Sequence, residues 1–489
     1  MSNKSLIKGT AIYTISELLI KAGSVLMLPL FTFLLTPEEY GIVGLLTPIS
    51  GFLPLFFSYG LYLSQGKELV VLNDKDKNGS YIFTINVVLW VNIILVFLLF
   101  LTPFSQNILL GMLESPNLEF YPHIFLAVVT GFIGVFTLLA DNYYQTYQNF
   151  TKKAVGAIIS FLINMISSLV LIYFFDLGAT GKLIGNLLGN VFLMFFFYVH
   201  YIRKSVFHFH FKYFKEGLAI GIPAMFNLIV GYINNYSDRI IINKFLTLSE
   251  VGIYSIAYTG SFVLNTIINS FMNAWRPLYF RIEENSNLAE KNREINQVFI
   301  TSTFIIASIC LVGQLFQKEL ITLVLPDSYH GMISVLPILL FGILLNYYYL
   351  FFANFHVYNN TYKSVPFYMF FGMVINIVIN LMFVKMYGIV VAAYSTVISN
   401  VFMSLAMILT VHFKHRDKYK INFKLQPVLL LICFNPLLLY LSISAEISFI
   451  TFLAKVVYLG MLVFIAIKFL GVNYFKSMFK KLRRKKGRK

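Results

Sequence analysis

Apolar runs of about 20 residues recur along this chain, and they constrain its fold more than any other feature of the sequence. Roughly 20 apolar residues form a helix long enough to cross the hydrocarbon core of a bilayer. Hydrophobic residues make up 58% of the 489 positions and charged residues only 12%, whereas soluble proteins carry roughly 25% charge. The sequence therefore predicts an all-α integral membrane protein with no soluble domain between its apolar runs.

About fourteen apolar segments are predicted to be transmembrane helices. They lie near 11–35, 42–65, 80–101, 121–143, 155–175, 180–201, 218–245, 252–275, 298–320, 333–355, 366–386, 388–411, 426–443 and 448–470. The first is too long for the apolar core of a signal peptide and contains Glu17 and Lys21, so it is predicted to be the first span.

Basic residues are distributed unevenly between the two sets of connecting loops. Most of the 38 Lys and Arg residues lie at the N-terminus, in the even-numbered loops and in the tail after Lys468. The loops on the opposite side are predicted to contain only Lys182, Lys244, Lys318, Lys385 and Lys455. The positive-inside rule then places both termini in the cytoplasm. The net charge of +17 is therefore interpreted as orienting the protein in the membrane and contacting anionic lipid headgroups, not as a sign of nucleic-acid binding.

The chain contains an internal repeat. Residues 35–42 are similar to residues 246–253 at an offset of 211 positions, and weaker matches recur near this offset across five segments. An even number of spans in each half makes the repeats parallel, and transporters built in this way hold substrate between their halves near the bilayer midplane. The predicted units are two six-helix bundles followed by two extra helices and a basic cytoplasmic tail, at 1–210, 211–421 and 422–489.

Two pairs of charged residues within predicted spans are candidates for a functional role, because a charge there is unfavourable by about 2.5–3.5 kcal/mol on insertion scales. Glu17 and Lys21 are four residues apart in the first segment, and Asp238 and Arg239 are adjacent in the seventh. One hypothesis is that each acid and base pair locally to permit insertion. A second is that Lys21 and Arg239 present positive charge to an anionic group in a cleft. A third is coupling to H⁺ or Na⁺ through Glu17 or Asp238.

Asparagines recur at helical spacing in the eighth segment. Asn265, Asn269 and Asn273 are each four residues apart, so they share one helix face. Amide side chains both donate and accept hydrogen bonds, which suits sugar hydroxyls. Hydrogen bonding between helices is the alternative, and the same spacing occurs at Asn376 and Asn380.

Sequence features that would indicate an enzyme are missing. The chain has no G-x-x-x-x-G-K-[ST] phosphate-binding loop, and its eight histidines form no metal-binding pattern. The longest external loop, about 102–120, offers only Glu114 and Glu119 as acid–base groups. We therefore expect no catalytic residues, no cofactor and no metal site, and a membrane glycan polymerase is the least favoured alternative.

Residues 236–258, at the junction of the seventh and eighth segments, resemble the signature of the polysaccharide transporter family, the O-antigen and capsule repeat-unit flippases. The first-half sequence at 35–41 and the run 273–277, which contains Arg276, are also similar to that family. The resemblance covers essentially the whole chain.

This resemblance implies the fold of the multidrug and toxin exporters. It also implies a substrate of oligosaccharide on undecaprenyl pyrophosphate, moved outward across a bacterial cytoplasmic membrane. The expected substrate-binding residues are Lys21 and Arg239 toward the pyrophosphate and Asn265, Asn269 and Asn273 toward the sugar, with Arg276 as a further candidate. A multidrug or cation antiporter of the same fold is the alternative, and its cleft should be dominated by acidic residues.

Overall fold

The computed structural model describes residues 3–414 apart from 73, 114, 116, 285–286, 360 and 362–363, together with 419, 442–443 and 448–470. All regular elements in these residues are helices, which confirms the predicted fold class. Twelve of the described helices are long and apolar enough to cross a membrane, so the chain is a multi-pass membrane protein. The predicted span at 426–443 and the basic tail lie almost entirely outside the described residues.

Thirteen long helices follow one another along the described chain. The first six are α1 (Asn3–Leu26, continued by Leu28–Leu34), α2 (Pro37–Phe57), α3 (Lys75–Phe100), α4 (Phe125–Thr146), α5 (Phe150–Tyr173) and α6 (Gly178–Leu193, continued to Ile202). The others are α7 (Phe211–Phe245), α8 (Leu248–Glu283), α9 (Leu288–Val324), α10 (Leu336–Tyr358), α11 (Ser364–Tyr387), α12 (Ile389–Lys414) and α13 (Phe449–Leu470).

Helices α7, α8 and α9 are longer than predicted, with 35, 36 and 37 residues. The hydrocarbon core needs only about 20 residues of helix. Apolar composition therefore located these helices but underestimated their length, because the backbone hydrogen bonding continues through the flanking polar residues.

Helices α2 and α8 begin with the same structure, 211 residues apart. The Thr36 side chain accepts a hydrogen bond from the backbone N–H of Glu39, whose carboxylate accepts one from the backbone N–H of Thr36. Thr247 and Glu250 form the same reciprocal pair at the start of α8. Such a capping box satisfies amide groups that have no partner within the helix. The sequence similarity thus corresponds to equal local structure at the two helix starts.

Helices α2 and α8 touch each other through two glycines close to these capped ends. A Cβ atom on Gly41 would lie 1.9 Å from the backbone oxygen of Leu248, and one on Gly252 would lie 2.0 Å from that of Pro37. Only residues without a side chain allow such a close backbone approach. Nearby, the Tyr329 hydroxyl donates a hydrogen bond of 2.7 Å to the backbone oxygen of Leu35. We call these contacts the glycine gate.

Helix α7 packs against both predicted halves of the molecule. A Cβ atom on Gly221 would meet the backbone of Tyr59 and Gly60, just after α2. Gly231, ten residues later, faces Met369 of α11. Helix α7 therefore contacts both predicted halves, and Asp238 and Arg239 lie towards its end.

All five lysines that the charge distribution assigned to one set of loops lie inside helices, so this assignment was wrong. Lys182 is the fifth residue of α6 and Lys455 lies in α13, while Lys244, Lys318 and Lys385 lie towards the ends of α7, α9 and α11. The Nζ atom of Lys455 is 2.6 Å from a carboxylate oxygen of Glu319 in α9, and this ion pair joins the two helices. The loop prediction failed because each of these helices begins before its lysine and ends after it.

Candidate functional site

A cavity of about 580 Å³ lies beside the glycine gate, enclosed by helices α1, α2, α5, α6, α7 and α8. Its volume falls within the range of roughly 300–1,000 Å³ that is typical of ligand pockets. On α2 its wall begins at Tyr40, next to Gly41, and on α8 it begins at Ser255, three residues after Gly252. Because helices from both predicted halves form the wall, a movement of one half against the other would reshape the cavity.

Three cationic side chains line this cavity, those of Lys21, Lys182 and Arg239. Among the described residues of its wall there is no aspartate or glutamate. Ionisable side chains within membrane helices are unfavourable unless they pair or face a cavity, so they mark substrate or ion pathways. The wall thus has the charge expected of a site for an anionic group.

Arg239 is held in a fixed orientation at the cavity wall. Its guanidinium carbon lies 5.0 Å from the ring centre of Tyr236 and 4.6 Å from that of Tyr258. Its Nε donates to the Ser255 hydroxyl at 3.1 Å, and Nη1 donates to the backbone oxygen of Asn235 at 3.3 Å. Two of the five guanidinium donors are used in these bonds, which leaves others for an anion in the cavity.

Asp238, although adjacent to Arg239, has a different set of partners. Its carboxylate accepts hydrogen bonds from the Tyr254 hydroxyl at 2.6 Å, the Asn380 amide at 2.6 Å and the Thr396 hydroxyl at 3.3 Å. The side chain is 1% exposed. Asp238 therefore faces α11 and α12 while Arg239 faces the cavity, and Asn380 serves in a contact between helices.

Lys21 and Glu17 also differ in their surroundings. The Nζ atom of Lys21 lies 5.8 Å from the ring centre of Phe262, so it connects α1 with α8 across the cavity wall. Glu17, one turn earlier, is outside this wall and within electrostatic range of Asp141. Asp141 forms an ion pair of 3.0 Å with Lys153.

Lys182 is the cavity residue that sequence analysis missed. Its Nζ donates to the Asn164 side-chain oxygen at 3.2 Å and to the Ser168 hydroxyl at 3.4 Å, and lies 4.0 Å from the Phe31 ring centre. One sequence signal could have found it. Lys182 and Asn186 are four residues apart, so they share a helix face, and both line the cavity.

The predicted asparagine face of α8 lies beside the cavity and not in its wall. The wall is formed by residues that include Ser255 and Thr266. Asn273 follows Ser255 by 18 residues, which is five turns at 3.6 residues per turn, so it is on the same face and is exposed. Asn269 is half-buried and donates to the backbone oxygen of Asn265 at 2.9 Å. The spacing of the asparagines correctly predicted the helix face that they share, but not how far along α8 they lie from the cavity.

Arg276 continues this face away from the glycine gate. It is exposed, and its Nε donates to the side-chain oxygen of Asn354 in α10 at 3.2 Å. Asn273 and Arg276 follow the cavity wall along α8 towards the end of the helix, and we call these two residues the polar path of α8.

The polysaccharide biosynthesis protein family has a sequence model that matches residues 30–334 of this chain. This region includes the glycines of the gate and all the helices that enclose the cavity except the first part of α1. The chain belongs to this family. It is also 26% identical over 426 residues to an uncharacterized membrane protein of Methanocaldococcus jannaschii, a match that covers 81% of this chain and 95% of the relative.

Solved structures share the fold of this family member. A structure described as the lipid II flippase MurJ in an inward closed conformation superposes with a TM-score of 0.70 and 16% identity, over 95% of this chain and 99% of that one. An inward-facing multidrug resistance transporter of the MATE family superposes with a TM-score of 0.64 and 14% identity, over 82% and 98% of the two chains.

Family membership and fold confirm the resemblance found in the sequence. The chain is a member of the polysaccharide biosynthesis protein family and has the fold of the MATE transporter and MurJ structures.

Proposed function

We propose that this protein is a flippase for oligosaccharide repeat units linked to undecaprenyl pyrophosphate. It moves them from the inner to the outer leaflet of a bacterial cytoplasmic membrane, for the synthesis of a surface polysaccharide such as capsule or O-antigen. The observation that carries this proposal is the cavity with three cations and, among its described wall residues, no carboxylate.

The charge of the cavity matches the charge of the proposed headgroup. A pyrophosphate diester carries about two negative charges, and moving each out of an inside-negative cell is favourable by roughly 2.3 kcal/mol per 100 mV. The potential therefore contributes about 4–5 kcal/mol at 100 mV to export. Lys21 and Arg239 bind the pyrophosphate and remain in place when the substrate leaves, so this contribution is not cancelled by movement of the cations.

The glycine gate and the polar path of α8 support transport by alternating access. With both termini in the cytoplasm, the gate is at the outer end of the cavity and Asn273 and Arg276 are on the cytoplasmic side. The sugar passes along Asn265, Asn269 and Asn273 when the headgroup enters the cavity. Separation of α2 from α8 at the gate then exposes the headgroup to the outer leaflet.

A multidrug or cation antiporter is a weaker candidate for this chain. A cationic drug needs acidic groups in the binding cavity, because burying an unpaired positive charge beside other positive charges is unfavourable. Asp238 is a buried acid on α7, and its carboxylate accepts three hydrogen bonds from groups outside the cavity.

We expect Asp238 to couple export to a cation gradient. Its carboxylate is buried next to Arg239, and both side chains also contact α8, through Tyr254 and Ser255. Neutralising the Asp238 carboxylate with H⁺ or Na⁺ therefore changes the electrostatic field at Arg239, the residue proposed to bind the pyrophosphate.

Asp238→Asn should remove any acceleration of export by an imposed H⁺ or Na⁺ gradient, measured in vesicles with each ion separately. Glu17→Gln should retain it, and an unchanged response of Asp238→Asn would rule out this role.

The proposed function is tested with purified protein in vesicles that contain a short oligosaccharide on undecaprenyl pyrophosphate in both leaflets. A membrane-impermeant glycosidase outside the vesicles cleaves only the outer pool in the absence of protein. The protein should make the inner pool accessible, and an inside-negative potential should speed this change. An inner pool that stays protected under every combination of potential and ion gradient would refute the proposal.

A further inference from the structure

Lys182 is on a different wall of the cavity from the two cations assigned to the pyrophosphate. Lys21 and Arg239 lie near Phe262 and Tyr258, which are four residues apart on α8, about 6 Å along the helix axis. Lys182 is on α6, and its contacts are with α5 and the outer part of α1.

The surroundings of Lys182 combine a positive charge with neutral hydrogen-bonding groups. Two of its three N–H donors reach the Asn164 oxygen and the Ser168 hydroxyl. The Asn164 amide also donates to the side-chain oxygen of Asn186 at 2.7 Å. Amides and hydroxyls both donate and accept hydrogen bonds, so they can bind sugar hydroxyls. The positive charge of Lys182 favours an anionic group.

The number of cations points to a second anionic group on the substrate. Three cations are among the described residues that line the cavity, whereas a pyrophosphate diester supplies about two charges, each matched by one of the cations on the α8 side. A charge that is kept within a membrane protein without a carboxylate partner is unfavourable unless a ligand compensates it. Lys182 therefore has the position and charge of a group that binds an anion beyond the pyrophosphate.

We propose that Lys182 binds the carboxylate of an acidic sugar, such as a uronic acid, close to the pyrophosphate of the substrate. This inference rests on the proposed function and narrows its substrate class to acidic repeat units. The cavity volume of about 580 Å³ suits a headgroup with its first sugars, because ligand pockets of roughly 300–1,000 Å³ enclose molecules of drug size. The remaining sugars extend along α8.

The test uses two lipid-linked oligosaccharides that differ only in one sugar near the pyrophosphate, glucuronic acid in one and glucose in the other. Both are supplied to vesicles containing the wild-type protein or Lys182→Gln. The substitution should slow export of the acidic lipid by about tenfold or more, the loss expected for one charged hydrogen bond. Export of the neutral lipid should change by less than about twofold. Lys182→Arg should restore preference for the acidic lipid.

Lys385→Gln provides the matched control, because Lys385 is exposed at the end of α11 and outside the cavity. Equal slowing of both lipids by Lys182→Gln would assign Lys182 to the pyrophosphate and overturn the inference. Unchanged export of both lipids would also overturn it, since Lys182 would then be structural. If the wild-type protein moves neither lipid, the proposed function is itself wrong and the inference falls with it.

Discussion

Arg239→Gln is expected to reduce export of the lipid-linked oligosaccharide by at least about 30-fold without loss of folded protein. Loss of one partner of a desolvated charge pair costs roughly 2–5 kcal/mol, and 1.4 kcal/mol corresponds to a factor of ten. The fold should tolerate this change because Asp238 has three hydrogen-bond donors of its own. The rate is measured in the glycosidase assay, and folding by thermal unfolding in detergent.

Two further variants define what Arg239 contributes. Arg239→Lys keeps the charge but loses the planar fork that lies between Tyr236 and Tyr258, so it should give an intermediate rate. Arg203→Gln removes an exposed arginine outside the cavity and should leave export unchanged. Normal export by Arg239→Gln together with normal export by Lys21→Gln would eliminate the proposed pyrophosphate site.

Gly41→Ala and Gly252→Ala should each nearly abolish export, because they prevent closure of the outer end. An added Cβ atom would lie about 2 Å from a backbone oxygen of the opposite helix, which is far inside van der Waals contact and forces α2 and α8 apart. The cavity should then be accessible from outside. This is measured by labelling Thr259→Cys with an impermeant thiol reagent, in a background without Cys310 and Cys433.

Gly260→Ala is the matched control on the same helix. Its Cβ atom would meet only the Leu336 side chain at 3.6 Å, an ordinary contact. Tyr329→Phe is a milder change at the gate, since it removes one hydrogen bond to Leu35, and it should raise external labelling without unfolding the protein. The gate assignment is wrong if both glycine variants export normally and external labelling of Thr259→Cys stays at the wild-type level.

The sequence predicted the all-α membrane fold and most spans because apolar length and composition are set by the bilayer. It also predicted the repeat, since the Thr36 and Thr247 caps depend on side chains of neighbouring residues. It did not predict that Gly41 touches Leu248 or that Lys182 lies in the cavity. Both facts depend on how distant helices pack: the spacing of Lys182 and Asn186 indicates a shared helix face but not what that face contacts.

For the candidate site, the sequence identified Lys21 and Arg239 because a charge within an apolar span is conspicuous, and the structure brings both to one cavity. The sequence does not indicate which of Asp238 and Arg239 faces the cavity. Adjacent helix residues point about 100° apart, but only the packing of α11 and α12 decides which one faces a neighbouring helix. Helical periodicity likewise gave the face of Asn273 without its distance from the cavity.

The reciprocity of the glycine gate has a consequence for its origin. The α2 surface that receives Gly252 also presents Gly41, and the α8 surface does the same in return, so each half carries both members of the contact. This is the form of an isologous interface, as in a dimer with two-fold symmetry. A symmetric dimer of two identical half-length chains could therefore have closed the outer end of the cavity with the same glycine from each chain. A later gene fusion would have joined the two copies, and each could then have acquired its own charged residues.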